Sequence, residues 1–365
     1  MLIGAGGVFG SRIASQLAGD PRFQLTLVGR RTAKLVALRE ALGDASVRVA
    51  ALDVTATDLA EALARLQPQL VIHAAGPFQS QDYRVAEACL DCGSNYVDLA
   101  DGRAFVSGIG RLDGRAKAAG CLLISGASTV PALSSAVVDQ LLPRFATLDV
   151  IKQAISPGNR APRGDATVAA ILGYCGRPIT LWRDGRWQQG HGWMSTRRVV
   201  FPFGRRWTGL CDVPDLELFP RRYPGVRTVA FRAGLELKRL HFGTLAAAWL
   251  VHLGLIRNLA RNATHLRRIS EWFLAAGSDV GGMLVELHGT DPQGQALRLR
   301  WSLSAAAGDG PQIPATPAVL LARKFADGSL VVRGAMPCMG LFSLEEALAA
   351  LHGFAIETGL EMFTG

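Results

Sequence analysis

The chain is predicted to be α/β, a doubly wound parallel sheet followed by an α+β domain with a mostly antiparallel sheet, and three observations predict this. Short apolar runs alternate with helix-period stretches of roughly ten residues through the first third. A glycine cluster, Gly4 to Gly10, stands at the first junction between such a run and a helical stretch. Beyond Phe145 the pattern changes to strand-like runs joined by Gly, Pro and Arg loops, with strong turn signals between them.

Taken in order, Leu2-Ile3 ends a strand and residues 8–18 form a helix. Only three residues precede Gly4, whereas such a strand usually runs to about five or six, so either a late initiation site or a clipped strand is expected. Further strands are expected at 25–28, 47–52, 70–73, 96–97 and 121–124, each bounded by Gly, Asp, Pro or Asn. In the second part, Thr180-Leu-Trp precedes a turn at 183–186, a strand follows at 226–231, and runs 282–289 and 296–304 flank the turn 290–294. Residues 241–256 carry no formal charge but fall short of the roughly 20 apolar residues a membrane span needs, so a buried helix is expected. Its continuation sets Leu255, Leu259, Leu266, Ile269 and Phe273 at helical spacing, with Arg257, Arg261, His265 and Arg268 on another face. Packing against the chain's own sheet or a dimer mate is expected for this amphipathic helix, and peripheral membrane contact through 241–273 is the alternative. Stretches 317–325 and 343–357 read as two further helices. The expected domains are 1–140 and 141–314, the second serving substrate binding or dimerisation, with the helices of 315–365 packing back onto the first.

Composition fits this organisation. At 365 residues, 49% hydrophobic and 19% charged, the chain suits two globular domains. Lys and Arg outnumber Asp and Glu by 39 to 30, with arginine pairs at 197–198, 205–206, 221–222 and 267–268. These read as a solvated basic face, because no aromatic-interleaved or zinc-finger spacing accompanies them; nucleic acid is not an expected partner. The six cysteines are scattered and no leader precedes Gly4, which suggests a reduced, cytoplasmic setting. Cys89 and Cys92 end an amphipathic helix and read as core and helix-end residues rather than a redox pair.

Gly4-Ala-Gly-Gly-Val-Phe-Gly10 lies where a dinucleotide loop of a Rossmann-type domain belongs. Gly4, Gly7 and Gly10 set the spacing and Gly6 is an extra small residue. Glycine serves there because the backbone turns sharply, a pyrophosphate approaches the main chain, and the helix amino end, with Val8 and Phe9, presses on the sheet. Where an acid would hold the ribose hydroxyls of NAD, this sequence has Arg30 and Arg31. Guanidinium groups grip a 2′-phosphate, so NADP is the expected cofactor and NAD the alternative. Asp53, after the third strand, is placed to meet the adenine edge or to cap the next helix.

Three further stretches resemble the saccharopine dehydrogenase-like oxidoreductases: Val71-Ile-His-Ala-Ala-Gly-Pro-Phe78, Ala86 through Leu99, and Gly126-Ala-Ser-Thr-Val-Pro-Ala-Leu-Ser134. With the glycine loop they span about the first 140 residues; Arg163 to Thr167 and Gly334 to Cys338 resemble the family loosely. The resemblance implies a hydride-transferring enzyme with the loop Ala74, Ala75, Gly76, Pro77 and Phe78 beside the nicotinamide. Small residues there admit a flat ring. It does not fix the substrate, for which an imine, a carbonyl or an enoyl group are all open.

A reductase of such groups also needs a proton donor. The Tyr-x-x-x-Lys arrangement is missing, so candidates come from the carboxyl edge of the sheet. Asp98 and Asp101 leave the fifth strand toward the expected cleft, where a shielded carboxyl keeps its proton; structural hydrogen bonding and helix capping are the alternatives. Ser128 and Thr129 precede Pro131, where a helix is expected to start and offer its amino end to an anion or an amide. Arg163, Thr167 and His191 are second-domain candidates, and no metal-ligand spacing appears among the histidines. The expected partners are a small-molecule substrate, anionic or lipidic, and a homodimer mate. A non-catalytic NADP-binding protein, peripheral to a membrane, is the alternative function.

Overall fold

The computed structural model describes residues 1–364. It divides into two units, Met1–Leu133 with Pro311–Ala350, and Ser134–Gly310 with the chain from Leu351 onward.

In the first unit the strands β1 (Leu2–Ile3), β2 (Thr26–Gly29), β3 (Arg48–Ala51), β4 (Leu70–His73), β5 (Asn95–Asp98) and β6 (Leu122–Ser125) lie parallel with a seventh, Gly334–Pro337. Their order is Gly334–Pro337, β6, β5, β4, β1, β2, β3, which reverses direction between β1 and β4. That reversal is the topological switch point at which α/β sheets open a crevice. Leu2, Leu27, Val71, Tyr96 and Leu123 are completely buried, as strands covered on both faces require. Helix α1 (Val8–Leu17) buries Gly10, Ile13, Ala14 and Leu17, one face of a 3.6-residue period. Helix Gln312–Ala326 packs on α1, with Gln16 donating to the Gln312 side chain at 2.9 Å and Arg323 to the Gln16 carbonyl at 2.9 Å. Cys89 is buried in helix Arg84–Asp91 and Cys92 follows its end, both as free thiols.

The second unit holds β7 (Thr147–Ser156), β8 (Pro178–Arg183), β9 (Arg186–His191), β10 (Arg197–Phe201), β11 (Gly204–Leu210), β12 (Thr228–Ala233), β13 (Gly281–Thr290), β14 (Ala296–Ala305) and a final strand, Ile356–Thr364. They pair in the order β10, β11, β12, β7, β13, β14, final strand, with the β8–β9 hairpin attached to β12. Only the β7–β12 pair is parallel among the named strands of this sheet. On β14 the residues Leu297, Leu299, Trp301, Leu303 and Ala305 are buried while their neighbours are not, the period-2 alternation of a sheet with one face on the core.

On the outer face Glu286 stands opposite Lys152 and Arg300 across the ladders. It accepts from His288 at 2.6 Å, Arg298 at 2.6 Å and Arg300 at 2.9 Å. Burial alone would raise its pKa, but these three donors hold the carboxyl well below the usual range. Glu286→Ala would leave the cations facing one another, and we expect it to cost about 2 kcal/mol in a urea melt. A loss below about 0.5 kcal/mol would show that solvent screens the cluster.

Three sequence expectations need correction. Residues 241–256 do not form a buried helix: the helix is Lys238–His252, only His241 and Ala248 are buried in it, and Trp249 and Leu253 are 47% and 64% exposed. In this helix Ala248 lies against Gly176. Nor does it continue to residue 273, because Gly254 takes a φ of +76° and a new helix, Ala263–Glu271, starts beyond a short turn. Stretch 343–357 is helical only over Leu344–Ala350; Ile356–Thr364 instead pairs with β14, so the end of the chain joins the second unit's sheet rather than the first unit. The helix expected from Pro131 is present: Val130 is extended (φ −127°, ψ 130°), and the residues from Pro131 onward are helical and run into Ser134–Leu141. The boundary between the units falls at Leu133.

Candidate functional site

Parallel strands send all their carboxyl ends to one edge, so in the first unit this edge gathers the loops after β1 to β6. They are laced together. Gly4 and Ala5 donate to the Val28 carbonyl, Ala74 to Ile3, Leu99 to His73, and Ala127 to Asp98, at 2.7–3.3 Å.

The first loop is as tight as the sequence requires. Gly4 has a φ of +80°, and a Cβ there would come within 2.8 Å of the Ala75 amide nitrogen. A Cβ on Gly10 would overlap the Gly4 carbonyl oxygen and reach within 2.8 Å of the Ala5 Cα, whereas one on Gly6 would meet nothing closer than Lys34 at 3.6 Å. Gly7 donates to Gly4 at 2.9 Å and caps α1, whose first amides, Val8, Phe9 and Gly10, have no carbonyl a turn earlier within the helix. Such an end is a ready anion site. A main chain this close, with the side chains removed from it, fits a dinucleotide pyrophosphate.

Arg30 and Arg31 follow the end of β2 exposed, Arg31 preceding helix α2 (Thr32–Leu42). Asp53 lies near Arg30 but accepts from the Thr55 amide at 3.0 Å and hydroxyl at 2.8 Å. Those two bonds, with the Arg30 charge behind them, hold its carboxyl below the ordinary value. Asp53 thus closes a local turn and does not cap helix Leu59–Leu66, whose preceding residue is Asp58.

The loop after β4 passes Ala75, Gly76 and Pro77, with a cis bond before Pro77. Gln81 holds it by donating to the carbonyls of Ala75 at 2.8 Å and Pro77 at 3.0 Å. Below it His73 is buried, its Nδ1 3.1 Å from the Tyr96 hydroxyl and its ring 5.0 Å from Phe78. Burial pushes the His73 imidazole down to about 4, so it is neutral near pH 7.

The two carboxyls after β5 differ from one another. Asp98 does not open into the crevice: it is fully buried, and its Oδ1 accepts from Ala100 N at 2.9 Å, Gly126 N at 2.8 Å and Ser125 Oγ at 3.0 Å. Burial pushes it up to about 6 despite those donors. Its geometry is that of a staple between the fifth and sixth loops. Asp101 is half-buried, accepts from Gln79 at 2.9 Å, and is raised by burial against that bond. Ser128 is buried in the sixth loop just before the helical residues 129–133, its amide bonded to the Gly126 carbonyl at 2.8 Å. Gln79, Gln81, His73 and Tyr96 were not singled out by sequence; the polar Gln79-Ser-Gln81 directly behind Pro77-Phe78 was the available signal.

In the second unit Arg163 is spent on the Asn159 carbonyl and side chain, and the His191 ring lies 4.3 Å from that of His252.

A glycine-cradled helix end at the switch point of a parallel sheet defines the class of dinucleotide-binding α/β proteins. Residues 1–124 match the saccharopine dehydrogenase NADP binding domain, so the first unit carries a saccharopine dehydrogenase-like nucleotide-binding domain. Over 99% of both chains the fold is similar to that of a saccharopine dehydrogenase (L-Glu forming) from Saccharomyces cerevisiae, at 13% identity and a TM-score of 0.67. It is also similar to a homospermidine synthase from Legionella pneumophila solved with NAD, at 9% identity and a TM-score of 0.63 over 99% of this chain and 90% of that one. No curated protein matches the sequence. Among the described residues no helix is long and apolar enough to cross a membrane.

Proposed function

We propose that the chain is an NADP-dependent oxidoreductase acting on an imine, carbonyl or enoyl group. The observation that carries this reading is the exposed Arg30-Arg31 pair at the end of β2, where the sequence places these arginines rather than an acid to hold ribose hydroxyls. In this reading the amides of Val8, Phe9 and Gly10 hold the pyrophosphate, Arg30 and Arg31 the 2′-phosphate, and Ala75, Gly76 and Pro77 leave room for the nicotinamide. When bound, the cofactor supplies or accepts the hydride. Asp98 and Ser128 shape the floor of the site and Gln81 fixes the loop above it. Asp101, the more exposed of the two acids and one whose carboxyl pKa burial raises, is the candidate proton donor.

The test is a titration of the purified chain with NADPH and with NADH, followed by nicotinamide fluorescence, in wild type and in Arg30→Ala/Arg31→Ala. NADPH affinity should fall about 10- to 100-fold in the variant, the worth of one or two charged phosphate contacts, while NADH affinity stays. Equal losses for both cofactors, or none, would sink the assignment of the arginines.

A further inference from the structure

Helix Lys238–His252 and the turn after it turn an apolar stripe toward solvent. Phe242, Trp249, Leu250 and Leu253, at helical spacing, are 41%, 47%, 40% and 64% exposed, and Leu255 in the turn is 71% exposed. An ordinary surface helix faces the other way. The same stretch is one-signed: from Leu237 to Ser270 there is no Asp or Glu, and there are six cations. Arg267 is engaged by Asp165 and Glu271. Lys238, Arg239, Arg257, Arg261 and Arg268 are exposed, and none makes an ion pair among the described residues.

We propose that this face of the second unit docks on an anionic lipid bilayer, with the apolar stripe entering the headgroup boundary and the flanking cations meeting lipid phosphates. Large aromatic and leucine side chains beside Lys and Arg, on a helix too short to span, is the chemistry of an interfacial helix. A second copy of the chain fits less well. An isologous contact sets a patch against itself, and here it would bring an acid-free cationic segment against its twin. The inference is independent of the cofactor assignment, since it rests on the second unit alone.

The experiment is co-sedimentation of the full chain with phosphatidylcholine vesicles, with and without phosphatidylglycerol. Wild type should partition at least about tenfold more strongly to the anionic vesicles, and added salt should weaken this. Two variants share the test: Trp249→Ser/Leu253→Ser/Leu255→Ser, which removes the three most exposed side chains of the stripe, and Arg257→Glu/Arg261→Glu, which reverses two of the flanking charges. All five side chains are exposed, so far-UV circular dichroism and Tm should match wild type, while each variant loses about tenfold in partition. No preference for anionic vesicles, or partition unchanged in folded variants, would overturn the proposal. A concentration-dependent dimer in sedimentation velocity that the serine variant dissolves would also overturn it, assigning the face to a second copy.

Discussion

Replacing Gly10 with alanine is expected to raise the Kd for dinucleotide at least about 100-fold, while Gly6→Ala changes it less than about threefold. The two substitutions add the same methyl group a few residues apart in one loop. At Gly10 the new Cβ overlaps the Gly4 carbonyl oxygen and crowds the Ala5 Cα, both backbone, so the amino end of α1 has to move off the strand. At Gly6 it meets the Lys34 and Leu35 side chains at ordinary contact distance, 3.6 and 3.7 Å. A shift of about an ångström in α1 would misaim the Val8, Phe9 and Gly10 amides together, and positioning errors of that size are worth about two orders of magnitude. NADPH titration of both variants checks this, with Tm recorded for the unliganded proteins to separate binding from folding. If Gly10→Ala binds like wild type, the pyrophosphate does not rest on this helix end.

The second large effect concerns Asp215, which is fully buried at the start of helix Asp215–Arg222. Burial pushes its carboxyl up to about 7 from the ordinary 3.8, although Ser134 and Gln153, the latter at 2.8 Å, donate to it. An acid whose pKa is higher folded than unfolded favours the folded state while both forms are protonated. As pH rises past about 4 the unfolded chain releases the proton first, so stability falls until the folded carboxyl ionises near 7, and is level above that. At about 1.4 kcal/mol for each unit, the loss is on the order of 4 kcal/mol. Asp215→Asn, which cannot ionise, should therefore gain on wild type by that amount between pH 4 and 7.5. Comparing the two cancels groups with the opposite dependence, such as Glu286. Parallel stability curves for wild type and Asn would mean that Asp215 is not desolvated as described. Asp98, raised to about 6, should show the same sign over a narrower window.

Much of the first unit was legible because its signals are local. The face Gly10, Ile13, Ala14, Leu17 is written in α1 itself, and β4 begins and ends where its apolar run does. The hairpin of β13 and β14 follows from its turn. What stayed hidden depends on partners distant in sequence. Asp98 reads as an acid leaving a strand; its role as a staple is set by Ser125 and Gly126, one strand later. The exposure of helix Lys238–His252 was invisible because leucine and tryptophan in a helix look the same whether they face a core or not. The strand Ile356–Thr364 is placed by its pairing with β14 and not by its own propensity.

The seventh strand of the first sheet, Gly334–Pro337, comes after the bulk of the second unit in the chain. On a ribosome, then, the outer edge of β6 stays without its neighbour until Gly334 has been made, and α1 waits equally long for helix Gln312–Ala326. During synthesis the nucleotide-binding unit is begun before the second unit but cannot be completed until most of the second unit has been made. An open edge held for that interval is what a passing strand can pair with. A fragment cut at Leu133 would make that temporary state permanent, so the nucleotide-binding unit is best prepared from the full chain.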